Sequence, residues 1–243
     1  MVDLTPFRHV KQIDSTNTEC SRLARAGRDT PLWILADEQT HGRGRLNRPW
    51  QGGAANLYAS GLYQFNQPPA RLAELGFAAG LAVIETLAQW VPAEQLRLKW
   101  PNDVMLDGAK LAGILPESGG ADGQYWLVTG FGINLGQAPD VPSRKTACLA
   151  EVIWGASAVP KPIEILPELI VAFEGWIERW QAQGFEPVRR AWLANAFRLG
   201  QTITTSDGRT GIFEDLRKNG ALVLRKADGQ AIEISAGEVF FSE

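Results

Sequence analysis

The stretch Gly42-Arg43-Gly44-Arg45-Leu46-Asn47-Arg48-Pro49-Trp50 sets three arginines close to an indole, with a glycine between the first two cations. Each guanidinium offers a fixed fork of N–H donors that matches phosphate or carboxylate. No apolar periodicity runs through the stretch, so it reads as a loop, and its glycines admit backbone angles closed to most residues. Alone, such a loop reads equally well as solvated basic surface. Three later segments favour chemistry: Lys99-Trp100-Pro101-Asn102-Asp103, Lys110-Leu111-Ala112-Gly113-Ile114-Leu115 and Gly130-Phe131-Gly132-Ile133-Asn134. Arg43, Arg45 and Arg48 could each meet a phosphate or carboxylate in this way. No Ser-His-Asp or Cys-His arrangement supplies a nucleophile. No Walker A motif or strand–GxGxxG–helix unit occurs either.

Composition narrows the partners. Lys and Arg total 24 against 27 Asp and Glu, a net charge of −3 over 243 residues. Positive charge is therefore local, which fits a small anionic ligand better than a polyanion. Cys20 and Cys148 lack CxxC spacing, and His9 and His41 complete no ligand set, so no protein-built metal site and a reduced, cytoplasmic chain are expected. No apolar run approaches a membrane span, and residues 1–9 lack the apolar core of a signal peptide.

The elements that must position these residues follow from pattern. Residues 7–13 alternate weakly as a short strand. Ser15, Thr16 and Asn17 can cap a helix running to about residue 26 and ending at Gly27, or turn polar groups toward a ligand. Residues 32–36 form a continuous apolar run, the mark of a buried strand, and Gln39 at its end is placed where a ligand-binding amide would sit. A strand is expected over 56–65, a helix over 71–90, and a strand over 96–100 that Pro101 stops. Asp107-Gly108 signals a type I′ hairpin between 104–106 and 111–115, with 125–131 as a partner strand. Residues 147–152 suit a short helix; 166–180 and 186–197 suit longer ones whose tryptophans belong to the core. A partly buried Lys99–Asp103 ion pair would account for both of those residues. After Gly200 the strands 201–205, 210–213, 221–225 and 231–234 alternate with Asp207-Gly208, Asn219-Gly220 and Asp228-Gly229, a small antiparallel barrel. The expected class is α+β, with a catalytic domain over 1–197 and a barrel over 198–243.

The ordered GRGR, KWPND, KLAGIL and GFGIN segments resemble those of the biotin–protein ligase (biotin–acetyl-CoA-carboxylase ligase) family, over nearly the whole chain. The resemblance implies a class II synthetase-like domain, with a mixed or antiparallel sheet and helices, and an SH3-like C-terminal domain. It implies ATP-dependent attachment of biotin to a lysine of a biotin carboxyl carrier protein, the acceptor of acetyl-CoA carboxylase, through biotinyl-5′-AMP. Mg²⁺ would be held mostly by phosphate and water. In the family's terms Ser15, Thr16, Asn17 and Gln39 read the biotin ring. Arg43, Gly44 and Arg45 close over biotin and the adenylate phosphate, with Lys110 beside the carboxylate and phosphate; Arg43, Arg45 and Lys110 are the catalytic candidates. Arg48 meets the triphosphate, Trp50 packs on adenine, and Asn102 and Asn134 are polar contacts near phosphate and adenine. KWPND and KLAGIL favour biotin over lipoate.

One departure stands out: the family loop reads GRGRxGR, and Leu46-Asn47 precedes Arg48 here. Asn47 tolerates left-handed angles and can replace the glycine. With few apolar residues, the loop is expected to be mobile without ligand. The motifs begin near residue 15, which leaves no space for a winged helix, so no DNA binding is expected; the oligomer would be a monomer or homodimer.

Overall fold

The computed structural model describes residues 4–28, 30–53, 55–142, 144–153 and 158–241. The expected domain limits at residues 1 and 243 lie outside them. Strands β1 (Phe7–Ile13), β2 (Leu32–Gln39), β3 (Leu57–Phe65), β4 (Leu96–Lys99), β5 (Asp103–Leu106), β6 (Ala109–Ala121) and β7 (Gln124–Ile133) form one seven-stranded sheet in the order β1-β2-β3-β7-β6-β5-β4. Only β1 and β2 run parallel, joined by helix α1 (Thr16–Arg25) as their crossover. All other neighbours are antiparallel.

The apolar run of β2 is continuous because both of its faces are covered. Trp33 and Leu35 enter the main core, while Ile34 packs with Cys20, Leu62 and Val128 under α1. The main core lies between the sheet and helices α3 (Leu75–Leu87), α4 (Pro162–Gln183) and α5 (Phe185–Ala194). Trp176, Trp180 and Trp192 are buried there, as the amphipathic patterns imply. Pro162 opens α4 at its first position, whereas Pro167 lies inside the helix, in its second turn.

The single helix expected over 71–90 is two. Helix α2 (Pro69–Leu72) ends at Ala73, and the chain tightens through Gly76 N–H to Ala73 O and Phe77 N–H to Glu74 O before α3 begins. The Glu74 carboxylate is turned inward to accept from Trp180 Nε1 at 2.6 Å, a tertiary demand that periodicity does not encode. Trp90 lies in the turn beyond α3. Residues Leu149–Glu151 form a 3₁₀ turn where a short helix was expected. Asp107-Gly108 makes its turn with both φ positive, and so does Asp122-Gly123, which extends the β6–β7 hairpin well past the expected end of β6.

The second sheet contains β8 (Thr202–Thr205), β9 (Thr210–Leu216), β10 (Leu222–Arg225), β11 (Ala231–Ile234) and β12 (Val239–Phe240) in the order β11-β10-β9-β8-β12. All its pairs are antiparallel. The two-residue β12 has no pattern long enough to announce it. Ile203, Phe213, Leu222 and Ile234 join the main core. Trp100 Nε1 donates to Gly220 O at 3.1 Å and Arg189 Nε to Leu216 O at 2.9 Å, so the KWPND tryptophan is a joint between the sheets.

That joint is testable. Gly220 has φ +80, and a Cβ there would lie 2.6 Å from the Phe77 ring; Gly229 has φ +82 and open space. Gly220→Ala is expected to cost about 2–4 kcal/mol and Gly229→Ala about 1 kcal/mol, since only the first adds a clash to the backbone strain. Urea unfolding with an unchanged slope measures the difference.

Candidate active site

A cavity of about 690 Å³ opens between the first turn of α1, the loop over 42–50, strands β6 and β7, and the end of the second sheet. The loop forms a closed ribbon. Gly44 N–H donates to Arg48 O at 2.7 Å, Trp50 N–H to Gly42 O at 2.9 Å, and Arg43 and Pro49 bridge. Arg45–Asn47 makes a 3₁₀ turn in which Asn47 takes φ +56, the angle foreseen for it. Leu46 takes the same φ, which was not foreseen, and its side chain is 74% exposed.

Trp50 anchors the loop. A Cβ on Gly113 would lie 2.6 Å from its ring, and one on Gly132 would lie 2.5 Å away. The glycines of KLAGIL and GFGIN therefore make room for the indole. Its Nε1 is buried with no partner among the described residues, and Lys110 Nζ lies 5.3 Å from the ring centroid. The loop is thus better anchored than its composition suggests.

Lys110 reaches this face through a bulge. Ala112 pairs with Val104 but Lys110 pairs with Met105, so Leu111 is an extra residue in β6. Leu111, Ala112 and Ile114 all enter the core, whereas Nζ of Lys110 shares the face of Gly113. Strict alternation would have sent Lys110 into the core with Ala112 and Ile114. Its backbone is pinned from the other side: Lys110 N–H donates to Lys145 O at 3.0 Å, and Ala147 N–H to Lys110 O at 2.9 Å. The Lys110 side chain is nearly buried and donates to Asp103 Oδ1 at 2.5 Å. Asp103 was expected to pair with Lys99. The two do stand opposite each other in β4 and β5, but the carboxylate is bonded to Lys110 instead. Burial lowers the pKa of Lys99; Asp103 opposes the shift and Lys110 adds to it.

The loop arginines are held individually. Arg43 Nη2 donates to Glu117 Oε2 at 2.9 Å and Oε1 at 3.1 Å, and its Nε donates to Thr18 Oγ1 at 3.2 Å. Arg45 Nη1 donates to Gly237 O at 3.1 Å and Asn102 Oδ1 at 3.3 Å. Burial pulls the pKa of Arg45 down, and Glu238 and Asp103 oppose that. Arg48 pairs with Glu238.

At the α1 end, Ser15 is the N-cap and accepts from Thr18 N–H at 3.4 Å. Thr16 N–H and Oγ1 both donate to Gln39 Oε1, at 2.8 and 3.2 Å. This fixes the Gln39 amide. Asn17 Nδ2 donates to Leu115 O at 3.0 Å and Glu117 Oε2 at 2.9 Å, while Ser60 Oγ donates to its Oδ1 at 2.6 Å. Ser15, Thr16, Asn17, Gln39, Gly44 and Asn102 all line the cavity, with Arg43, Arg45, Arg48, Trp50 and Lys110. Asn134 does not: it is buried behind the wall and donates to Ala147 O at 3.1 Å. Sequence reasoning missed Glu117, Ser60, Gly237 and Glu238. Glu117 was findable, since it alternates with Gly113 and Leu115 on one strand; the other three carry no local signal.

Among the described residues no cluster of three or more His, Cys, Asp or Glu could hold a metal. Burial pushes the Cys20 thiol up to about 12, which removes it as a nucleophile.

Residues 9–134 match the model of the biotin/lipoate A/B protein ligase family. The chain belongs to this family. Residues 199–242 match the C-terminal domain of biotin protein ligases. This family member is 40% identical to a biotin–[acetyl-CoA-carboxylase] ligase of Paracoccus denitrificans, over 94% of its own length and 97% of the relative's. It is 33% identical to the ligase of that name from Mycobacterium tuberculosis, over 95% and 86% of the two chains. Its fold superposes on a biotin protein ligase from Aquifex aeolicus, solved with biotin and ATP, with a TM-score of 0.79, 26% identity and 97% of each chain covered.

If the two glycines seat the indole of this ligase-family protein, Gly132→Ala will expel it. Amide exchange across residues 42–50 should then quicken in the ligand-free protein while the rest of β7 stays protected. Unchanged exchange in the loop would show that Trp50 does not anchor it.

Proposed function

We infer that the protein is a biotin–protein ligase. It joins the biotin carboxylate to the α-phosphate of ATP, forming biotinyl-5′-AMP and releasing pyrophosphate. The ε-amine of a lysine on a biotin carboxyl carrier protein then attacks the acyl carbon, and AMP leaves. The observation that carries this reading is the meeting of Arg43, Arg45, Arg48 and Lys110 on one cavity, beside a polar end built by Ser15, Thr16, Asn17 and Gln39. Two anions must approach each other in the first step, and fixed cations lower that barrier without reorganising. No enzyme nucleophile is required.

In this reading the fixed amide of Gln39 and the hydroxyls of Ser15 and Thr16 face the ureido ring of biotin. Lys110 and Arg45 stand where carboxylate and α-phosphate meet, and Arg43 and Gly44 cover them. Arg48 takes the outer phosphates, Asn102 is a polar contact beside them, and Trp50 is the aromatic partner of adenine. Asn134 supports the wall from behind rather than touching ligand. Asp103 and Glu238 occupy Lys110 and Arg48 until phosphates replace them.

Mg²⁺ fits only as a companion of ATP. Of the cavity carboxylates, Asp103 and Glu238 are already bonded to cations, and with Asp107 they form no metal cage among the described residues, so phosphate oxygens and water would supply most of its ligands. The free, buried Cys20 and Cys148 support a reducing compartment, the cytoplasm. A catalytic part ending near residue 197 and a C-terminal part from 198 agree with the two sheets and the two family matches.

Pyrophosphate release from ATP tests the reading. Release should require biotin, and lipoate should not replace it. Lys110→Gln should slow biotin-dependent release by about 10²–10³-fold, the range for losing one preorganised charge, with biotin binding retained. Biotin binding without pyrophosphate release in the unmutated protein would mark it as a sensor instead.

A further inference from the structure

We propose that Glu117 is a positioning residue for adenylation, because its one carboxylate holds both Asn17 in the cavity wall and Arg43 in the covering loop. The proposal rests on the reading of the cavity as the biotin and ATP site. Glu117 sits on β6 in phase with Gly113 and Leu115, but it does not line the cavity. It reaches behind Asn17.

Its Oε2 accepts from Asn17 Nδ2 and from Arg43 Nη2, both at 2.9 Å, and Oε1 accepts from the same guanidinium nitrogen at 3.1 Å. Asn17 is 3% exposed and spends both amide N–H donors on protein, to Leu115 O and Glu117, while its Oδ1 accepts from Ser60. Removing the carboxylate leaves one buried N–H without an acceptor, so the amide must turn. Gly130 records how tight the site is, since any side chain there would collide with the Asn17 amide.

Arg43 is fixed in the same way. Nε goes to Thr18 in the first turn of α1 and Nη2 to Glu117, which sets the plane of the guanidinium. Its third nitrogen, Nη1, has no hydrogen bond among the described residues and is the donor left for a ligand. The pair is about one-third exposed on each side, so water screens it and its contribution to global stability is small. Its effect is local. Wall and loop are set by one carboxylate, and a displacement of either is felt by the other.

The variants Glu117→Ala, Glu117→Gln and Glu117→Asp test this. In the ligand-free protein, exchange across 42–50 should rise about tenfold in the alanine and glutamine variants, the scale of one lost charge-assisted hydrogen bond, and less in the aspartate variant. KM for biotin should rise by a similar factor in pyrophosphate release, with kcat nearly unchanged and thermal midpoints close to the parent's. Partial rescue by aspartate but not glutamine would identify the charge as the operative feature. Parent-like loop exchange in Glu117→Gln would overturn the proposal, and so would a fall in kcat with no change in KM. If the alanine variant does not fold, the isosteric glutamine variant decides. The exchange measurement needs no turnover, so it judges the tether even if the unmutated protein releases no pyrophosphate and the ligase reading fails.

Discussion

Cations gathered around one cavity repel one another, and much of the structure answers that constraint. Arg43, Arg45, Arg48, Lys99 and Lys110 all border one cavity. At two of them burial makes the charge harder to hold, which lowers the pKa of Arg45 and of Lys99. The counter-groups are Glu117 for Arg43, the Gly237 carbonyl and Asn102 for Arg45, Glu238 for Arg48 and Asp103 for Lys110. They come from β5, β6, the turn after β4 and the segment before β12. The second sheet therefore completes the electrostatics of the site besides adding to the core. On the proposed reading, a phosphate that displaces Asp103 or Glu238 would exchange one anion for another, so the cations would need little movement at the moment of reaction.

Shape meets the same need by different means. Gly113 and Gly132 leave a hollow that the Trp50 indole fills from a loop far away in sequence, and Gly130 leaves space for Asn17. The bulge at Leu111 then turns Lys110 from the core face to this one. A plain strand would have buried an ammonium among Ala112 and Ile114, at a cost of several kcal/mol. The role proposed for Lys110 and the fold agree only because the strand gains one residue at that point.

Core and site are also linked through Trp100. Its indole joins the sheets by a bond to Gly220 O, and the asparagine two residues on donates to Ile114 O at 2.8 Å while accepting from Arg45. The KWPND segment thus serves architecture in its tryptophan and the ligand cavity in its asparagine. This division explains why neither reading alone accounts for the segment.

Much was legible in the residues alone. The apolar run of β2, the α1 cap at Ser15, the Asp107-Gly108 turn and the buried tryptophans of α4 and α5 follow from periodicity and turn chemistry, which act over a few residues. The GRGR, KWPND and KLAGIL segments in order named the chemistry and somewhat under half of the cavity lining. What escaped was set at long range. The break between α2 and α3 answers Trp180, the partner of Asp103 is Lys110 because of a bulge, and Asn134 stands behind the wall because Ala147 takes its amide. Glu238 meets Arg48 across 190 positions of chain, a distance no local pattern spans. The sequence by itself determined which residue types are present and the elements that carry them. Only the tertiary structure decided which carboxylate faces which cation, because that depends on strand register and on packing between the sheets, where one residue of slip reverses the face a side chain presents.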